Sequence, residues 1–288
     1  MSAIQTPVYT PEFVERGYNN RAAVPEHPVW LERWTATSRD VIAAFAPRRD
    51  VRYGRGVQET LDLYLPSGTP CGTLMFIHGG WWRALDKSDH AFVVPPFLAQ
   101  GMAVAVVNYD LCPQASIGEI SAEMRRALAF LVREAPRLGI PAAPLVVAGH
   151  SAGGHLTAML HATPAADLGL PAHPVHGAVS LSGVHDLTPL VHFSLNSDFR
   201  LDDVRARELS PVHMQARSDA PLLLAVGADE TGEFVRQTDL LWHAWPGNRP
   251  RGASGPMRIA DRHHYSVVFD YADPHSALTR GTLALFQR

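Results

Sequence analysis

The sequence predicts an α/β fold with one mostly parallel sheet of about eight strands and helices on both faces. Three observations predict it: six short apolar runs, helix-length segments between those runs, and two alternating segments ahead of the first run. Strands buried on both faces read as continuous apolar runs, whereas strands with one solvated face alternate. Because no long linker divides the chain, residues 1–288 are expected to form a single domain.

The predicted elements follow one another along the chain. Residues 1–47 read as a helical and irregular segment, with the clearest amphipathic helix over 28–45, and this segment either caps the active site or packs on the fold. Two hairpin strands are expected in 50–55 and 60–66. The apolar runs that should form the remaining strands are 73–78, 102–109, 144–150, 177–182, 221–227 and 256–261. The strongest helix between them is expected over 117–139.

Composition and charge restrict the kind of partner. A formal net charge of −3 argues against a nucleic acid or an anionic membrane surface as the main partner. The N-terminus lacks a basic start followed by an apolar run, and no stretch approaches the roughly 18 apolar residues that span a bilayer. We therefore expect a cytoplasmic protein that acts on a small-molecule substrate. No interface stripe stands out, and a homodimer stays open.

Metal and redox chemistry find little support in the sequence. The two cysteines, Cys71 and Cys112, are too few for a disulfide framework, and nothing marks them as a pair. Neither H-E-x-x-H nor C-x-x-C occurs, and two adjacent histidines alone are a poor ligand set. The sequence implies no metal and no cofactor.

A serine lies at the junction of a predicted strand and a predicted helix. The stretch VVAGHSAGGHLTAML (146–160) contains G-x-S-x-G, with Ser151 between Gly149 and Gly153. This context is the one that a nucleophile elbow requires, and the helix N-terminus favours developing negative charge. A dinucleotide site is the competing interpretation, but Ser151 occupies the middle position of G-x-G-x-x-G and would block a pyrophosphate. We therefore predict that Ser151 is a nucleophile.

The stretch FIHGGWWRAL (76–85) predicts where an oxyanion would be held. Gly79 and Gly80 follow a predicted strand, and an HGGG-type loop at that position offers backbone N–H groups to the oxyanion. Glycine lets the backbone come close to a substrate. The N–H groups of Gly79 or Gly80, or both, are expected to form the oxyanion hole with that of Ala152.

The acid and the base should come from later loops, because a serine on such an elbow precedes first the acid and then the histidine. Asp229 directly follows the fifth apolar run and is the favoured acid. Asp186 is its rival, although it also reads as a turn residue or a helix N-cap, and Glu230 is a lesser candidate. The base is expected after the last strand, at His263 or His264, which the residues alone do not separate.

Four motifs together resemble one family, the kynurenine formamidases (arylformamidases) of the α/β-hydrolase superfamily. HGGWW (78–82) fits the HGGxW signature of that family, and GHSAGGHL (149–156) is similar to its GHSAGAHL, with Gly154 in place of alanine. LSGVHDLTPLV (181–191) and HYSVV (264–268) are similar to two further family segments. The resemblance covers most of the chain, and hormone-sensitive-lipase-type esterases carry close relatives of the first two motifs.

The resemblance implies the α/β-hydrolase fold and hydrolysis of N-formyl-L-kynurenine to L-kynurenine and formate through an acyl-enzyme. The family's catalytic histidine directly precedes an aromatic residue, which implies His264, followed here by Tyr265. The resemblance also supports Asp229, because the family's acid lies in a G-x-D stretch after the penultimate strand. Two other functions stay open: a carboxylesterase for small or aryl esters with the same triad, and a non-catalytic ligand-binding protein.

Three aromatic side chains are expected to contact the substrate. Trp81 and Trp82 offer flat apolar surface to an aromatic or acyl group, with packing of the loop onto the core as the alternative. Tyr18, near Asn19 and Arg21, belongs to the segment that would cap the pocket, where an arginine could meet a carboxylate. Simple packing is the alternative for this segment as well.

Overall fold

Eight strands form one sheet in the computed structural model, which describes residues 9–287. The strands are β1 (Arg48–Arg52), β2 (Thr60–Tyr64), β3 (Gly72–Ile77), β4 (Met102–Val107), β5 (Leu145–His150), β6 (Gly177–Leu181), β7 (Leu222–Gly227) and β8 (Met257–Ile259). Their order across the sheet is β1-β2-β4-β3-β5-β6-β7-β8. Strands β3 to β8 pair in parallel, while β2 is antiparallel to β1 and to β4. The predicted mostly parallel sheet is confirmed.

The α-helices lie between and ahead of these strands. They are α1 (Pro11–Tyr18), α2 (Asn20–Ala23), α3 (His27–Phe45), α4 (Pro95–Ala99), α5 (Ile117–Arg133), α6 (Ala135–Leu138), α7 (Ala152–His161), α8 (Asn196–Phe199), α9 (Asp203–Glu208), α10 (Gly232–Ala244), α11 (Ser266–Phe269) and α12 (Ala277–Leu283). Within residues 9–287, none of them is long and apolar enough to cross a membrane.

The helix expected over 117–139 is divided into α5 and α6. Helix α5 ends at Arg133, and α6 begins at Ala135, with Pro136 in its first turn. Proline has no backbone N–H and clashes with the preceding turn, so it interrupts a helix but fits the first turn of a new one. The long apolar periodicity of this segment therefore predicted its helical character and not its break.

Helices cover both faces of the sheet, and the strands contribute side chains to two cores. Along β3, Met75 and Ile77 pack in one core with residues of α1, α5, α7 and α10. Leu74 and Phe76 pack in the other core with residues of α3, α4, α11 and α12. All four side chains are fully buried. Burial on both faces is the reason that this strand reads as a continuous apolar run.

The N-terminal helices are anchored near the carboxyl ends of the parallel strands. The Tyr18 hydroxyl donates to the Glu233 carboxylate at 2.8 Å and accepts from Gln237 Nε2 at 2.6 Å. Both partners lie on α10, which follows β7. In addition, the Thr231 hydroxyl donates to the carbonyl oxygen of Gly17 at 2.5 Å. These buried contacts hold α1 beside the loop that connects β7 to α10.

The two outer strands of the sheet are short or charged. Strand β1 has the sequence RRDVR and is largely exposed. Its pairing with β2 shifts register between Arg48 and Val51, where Asp50 has a φ of 55°. Strand β8, at the other side, has three residues.

Candidate active site

Ser151 occupies a sharp turn between β5 and α7. It directly follows the last residue of β5 and has φ 57° and ψ −117°, a strained conformation for a residue with a side chain. The turn needs glycine nearby, because a Cβ on Gly153 would collide with the carbonyl oxygen of Ile77 in β3. The predicted strand–turn–helix context of Ser151 is therefore present, and its side chain is held above the end of the sheet.

His264 connects Ser151 to a buried carboxylate. Its Nε2 lies 3.0 Å from Ser151 Oγ, and its Nδ1 lies 2.6 Å from Glu230 Oε2. An ionised carboxylate only accepts hydrogen bonds, so Nδ1 carries the proton and Nε2 is left to accept from the serine hydroxyl. This is the geometry of a nucleophile, a general base and an acid that orients the base.

The carboxylate beside His264 belongs to Glu230 and not to Asp229, which corrects the expectation for the acid. The turn after β7 leaves Asp229 exposed, with its backbone N–H bonded to the carbonyl oxygen of Arg262. The next residue then turns inward, and the Glu230 side chain is 0% exposed. Glu230 therefore reaches His264, whereas Asp229, one residue earlier in the turn, faces solvent.

Two hydrogen bonds hold the other oxygen of the Glu230 carboxylate. Its Oε1 accepts from the Ser182 hydroxyl at 2.5 Å and from the Gly227 N–H at 2.9 Å. A carboxylate with one oxygen fixed in this way presents the second oxygen in a defined direction. Glu230 is thus oriented toward His264 by the ends of β6 and β7.

The remaining acid and base candidates have other partners. Asp186 accepts hydrogen bonds from the N–H and the hydroxyl of Thr188, at 3.0 and 2.6 Å, which makes it a turn residue. His263 Nδ1 accepts from the N–H groups of Tyr265 and Ser266, and its Nε2 lies 3.7 Å from Glu26. Of the two adjacent histidines, only His264 contacts Ser151.

The loop after β3 passes close to the serine. A Cβ on Gly79 would lie 3.1 Å from Ser151 Cβ, so this backbone approaches the nucleophile as closely as glycine allows. Among residues 9–287, the N–H groups of Gly79 and Gly80 have no hydrogen-bond partner, and that of Ala152 has none outside its helix. Below the loop, buried His78 places Nδ1 2.7 Å from the Gly79 carbonyl oxygen. The N–H groups of Gly79, Gly80 and Ala152 are thus free to bind an oxyanion, and their role as an oxyanion hole stays a prediction.

A cavity of about 250 Å³ opens onto Ser151 and His264. Trp81, Phe193 and Tyr265 contribute its aromatic walls. Residues of the three N-terminal helices and of the junction between the first two also line the cavity, and they are Glu15, Asn19, Asn20, Arg21, Leu31 and Trp34. The described part of the N-terminal segment therefore lines the cavity.

Only one of the three aromatic residues expected to bind the substrate lines this cavity. Trp81 does so, whereas Trp82 is fully buried and packs edge-on against His155 and Phe199. Tyr18 is also fully buried, because its hydroxyl is engaged by α10. Both side chains support the cavity wall from behind, and the expectation that they contact the substrate is wrong for this structure.

His150, the residue before the nucleophile, is a neutral neighbour of His264. Its ring centroid lies 4.7 Å from that of His264, and burial, followed by the proximity of His264, lowers the pKa of His150 well below its usual range. His150 therefore adds no positive charge beside His264 that would oppose its protonation.

A family model described as BD-FAE matches residues 61–243, which is more than half of the chain. The chain belongs to the BD-FAE family. The matched region begins in β2 and ends in α10, and therefore includes Ser151, the loop after β3 and Glu230, while His264 lies beyond it.

Relatives of this BD-FAE protein include formamidases and esterases. It is 27% identical to a kynurenine formamidase of Salmo salar over 265 residues, which are 89% of this chain and 87% of that protein. A solved structure from Silicibacter sp. TM1040, provisionally described as a thioesterase, is 33% identical, with a TM-score of 0.82 over 95% of this chain and 98% of the other. Esterase B of Lactobacillus Rhamnosis (HN001) shares the fold, with 18% identity, a TM-score of 0.63, and 93% and 96% of the chains covered.

These comparisons confirm the relationship to kynurenine formamidases that the motifs indicated, and the fold is the α/β-hydrolase fold. The BD-FAE chain is accordingly a hydrolase. The sequence favoured Asp229 as the acid and indicated Glu230 only as a lesser candidate. Its signal is the spacing of three residues from Gly227, which allows the Glu230 side chain to accept the N–H at the end of β7.

Replacing Gly153 with alanine is expected to destabilise this BD-FAE protein by about 1–3 kcal/mol or more, because the new methyl group would overlap backbone atoms of β3. Urea unfolding followed by circular dichroism measures the change. Gly232→Ala is the matched control, since nothing lies within 4 Å of a Cβ at that helical position. Equal stability of the two variants would contradict the close packing of the elbow against β3.

Proposed function

We propose that this chain is a serine hydrolase that cleaves N-formyl-L-kynurenine to L-kynurenine and formate. The observation that carries the proposal is the chain of contacts from Ser151 through His264 to Glu230, at 3.0 and 2.6 Å, beside unpartnered N–H groups of the loop after β3. Asp229 has no part in the proposed mechanism. The kynurenine formamidase relatives, which match most of the chain, support the choice of substrate.

The reaction begins when Ser151 Oγ attacks the formyl carbon and its proton passes to His264 Nε2. The negative charge that forms on the carbonyl oxygen is held by the N–H groups of Gly79, Gly80 and Ala152. The C–N bond then breaks as His264 returns the proton to the departing aryl amine. Water, deprotonated by His264, cleaves the formyl ester on Ser151 and releases formate.

The electrostatics of the site fit this sequence of proton transfers. His264 becomes an imidazolium in each half-reaction, and the buried Glu230 carboxylate stabilises that cation while fixing the Nδ1–H tautomer. His150 stays neutral beside it, because burial lowers its pKa. The base therefore gains a proton next to the Glu230 carboxylate and beside a neutral His150.

The size of the cavity favours a small acyl group on an aromatic leaving group. Its volume of about 250 Å³ lies just below the roughly 300–1,000 Å³ that is typical of ligand pockets. Trp81, Phe193 and Tyr265 provide flat apolar surface for an aryl ring. A formyl anilide has an unhindered carbonyl and an amine that leaves more readily than an alkyl amine.

A carboxylesterase for small or aryl esters is the second candidate. The thioesterase description of the Silicibacter protein, at 33% identity, and the fold shared with esterase B favour it. The same serine, histidine and carboxylate would serve both reactions, because an ester and a formamide differ in the leaving group and not in the oxyanion. Only kinetic comparison of the two substrate classes separates them.

The deciding experiment measures kcat/KM for N-formyl-L-kynurenine and for p-nitrophenyl acetate, with the wild type and Ser151→Ala. We expect the formyl anilide to be the better substrate, and the variant to lose at least about 10⁴-fold on both, since removal of the nucleophile leaves only binding and the oxyanion hole. Turnover of the ester alone would identify an esterase. Failure of Ser151 to react with a fluorophosphonate probe would indicate a non-catalytic protein.

A further inference from the structure

Two opposite charges from the N-terminal helices line the cavity without a charged partner. Glu15 lies on α1 and Arg21 on α2, and both line the cavity that opens onto Ser151 and His264. Within residues 9–287, neither forms an ion pair within 4.0 Å, with the other or with any other residue. The third charged residue of the wall, Arg83, is already paired with Asp198 at 2.5 Å. The cavity thus presents one half-buried carboxylate and one exposed guanidinium that have no ion-pair partner among the described residues.

Neighbouring groups hold these two side chains near the catalytic residues. Asn19 Nδ2 donates to Glu15 Oε1 at 2.6 Å, and Asn19 Oδ1 caps α2 by accepting from the Ala22 N–H at 3.0 Å. The Arg21 guanidinium lies beside the hydroxyl of Tyr265, where it offsets part of the rise that burial causes in the pKa of that tyrosine. Tyr265 directly follows His264. Arg21 is therefore next to the residue that follows the proposed base, in the same cavity as Ser151 and His264.

We propose that Glu15 and Arg21 together recognise a zwitterionic amino-acid group on the leaving-group side of the substrate, Glu15 binding its ammonium and Arg21 its carboxylate. This inference rests on the proposed function, since it assigns the amino-acid portion of N-formyl-L-kynurenine to these two residues. Charge-assisted hydrogen bonds of this kind are about twice as strong as neutral ones, and an arginine binds a carboxylate with two parallel N–H groups.

The pairing of charges selects against simpler ligands. A purely anionic aryl ester would satisfy Arg21 and place a negative charge near Glu15, and a purely cationic one would do the reverse. A neutral aryl acetate would leave both charged groups without a partner. Only a ligand with both charges satisfies the two groups together, so the N-terminal helices act as the part of the site that determines specificity.

The test uses four ligands that share the 2-aminophenyl ketone and differ in which charged groups its side chain carries, with dissociation constants measured by calorimetry on the wild-type chain. L-Kynurenine carries both groups, 4-(2-aminophenyl)-4-oxobutanoate only the carboxylate, kynuramine only the ammonium, and 2-aminoacetophenone neither. None is hydrolysed by the proposed reaction, so binding is read independently of turnover. We expect L-kynurenine to bind most tightly, and 2-aminoacetophenone most weakly.

Two charge-removing variants then assign each contact. Arg21→Gln should weaken the two carboxylate ligands about three- to tenfold relative to 2-aminoacetophenone in the same variant, and Glu15→Gln should do the same for the two ammonium ligands. Arg21→Lys should restore part of the carboxylate affinity. Arg16→Gln and Glu12→Gln, which remove exposed charges of α1 that do not line the cavity, are the matched controls and should change none of the four constants.

The outcomes distinguish this inference from the proposed function. Equal affinity of the wild type for all four ligands, or an equal loss for all four in Arg21→Gln, would overturn the assignment of the zwitterion site. Charge-specific losses without hydrolysis of N-formyl-L-kynurenine would leave the binding site intact and reject the formamidase proposal. Hydrolysis of N-formyl-L-kynurenine together with affinities that do not depend on ligand charge would support the formamidase proposal and reject the zwitterion site.

Discussion

Replacement of Glu230 with alanine should lower kcat/KM by about 10³–10⁴-fold, whereas Asp229→Ala should change it by less than about threefold. Glu230 is the buried carboxylate that faces His264 Nδ1, and without it the histidine loses both its fixed tautomer and the charge that stabilises its imidazolium. Asp229 is exposed, and its side chain makes no hydrogen bond within the described residues. Steady-state kinetics on p-nitrophenyl acetate and on N-formyl-L-kynurenine measure both effects.

Two further variants separate loss of charge from loss of structure at this position. Glu230→Gln keeps the shape of the side chain and one acceptor oxygen, so it should fold like the wild type and still lose most of the activity. Thermal unfolding of each variant provides the control for folding. An inactive Asp229→Ala combined with an active Glu230→Ala would contradict the arrangement described here and restore the original expectation for the acid.

Mild acid should destabilise the protein strongly between pH 6.5 and 4.5. Burial lowers the pKa of eight histidines below the usual 6.5, and six of them are nearly inaccessible to solvent: His78, His90, His150, His155, His161 and His185. Among these six, the pKa falls to about 4 for His155 and to about 3 for His90, His161 and His185. The unfolded chain takes up protons at these sites as the pH falls below about 6.5, and the folded chain does not. Their stabilising contribution is thus complete above pH 6.5 and is lost as the pH falls toward the folded values.

Each such histidine contributes a slope of about 1.4 kcal/mol per pH unit to the free energy of unfolding. Glu123 acts in the opposite direction, since burial raises its pKa to about 7 and the folded chain binds that proton first. Because only Glu123 opposes the histidines, the free energy of unfolding still decreases as the pH falls. Two or three histidines with the full slope would remove a large share of the roughly 5–15 kcal/mol by which a domain is typically stable.

Urea unfolding at pH 7.5, 6.5 and 5.5 measures this slope. His155→Gln and His185→Gln should each reduce the loss of free energy of unfolding between pH 6.5 and 5.5 by about 1 kcal/mol, because the full slope is reached only well below pH 6.5. Leu156→Ala is the matched control, because it removes a fully buried side chain of the same helix and should lower stability by a similar amount at every pH. A free energy of unfolding that does not change between pH 6.5 and 5.5 would contradict neutral burial of these histidines.

The sheet and the position of the nucleophile could be predicted because local sequence determines them. Continuous apolar runs mark strands buried on both faces, and G-x-S-x-G between a strand and a helix allows few backbone conformations. The acid could not be predicted in the same way. Asp229 and Glu230 are adjacent and acidic, and the turn after β7, fixed by contacts with β6 and with the loop carrying Arg262, decides which of them faces inward.

Which aromatic side chains line the cavity could not be predicted from the local sequence either. Trp81 and Trp82 are adjacent in a loop where both have positive φ, 55° and 53°, so the backbone sends one ring to the cavity and the other into the core. Tyr18 is withdrawn from the cavity by partners more than 200 residues later in the chain, on α10. Such long-range hydrogen bonds leave no pattern in the local sequence.

The outer strands of the sheet bear on how this protein behaves at high concentration. An unpaired strand edge is a template for aggregation, because its free N–H and C=O groups can pair with another chain. Here one edge carries four charged residues in five, with a shift in register, and the other is three residues long. Neither edge offers a long, flat and apolar surface to a second molecule. Self-association through a continuous intermolecular sheet is therefore disfavoured.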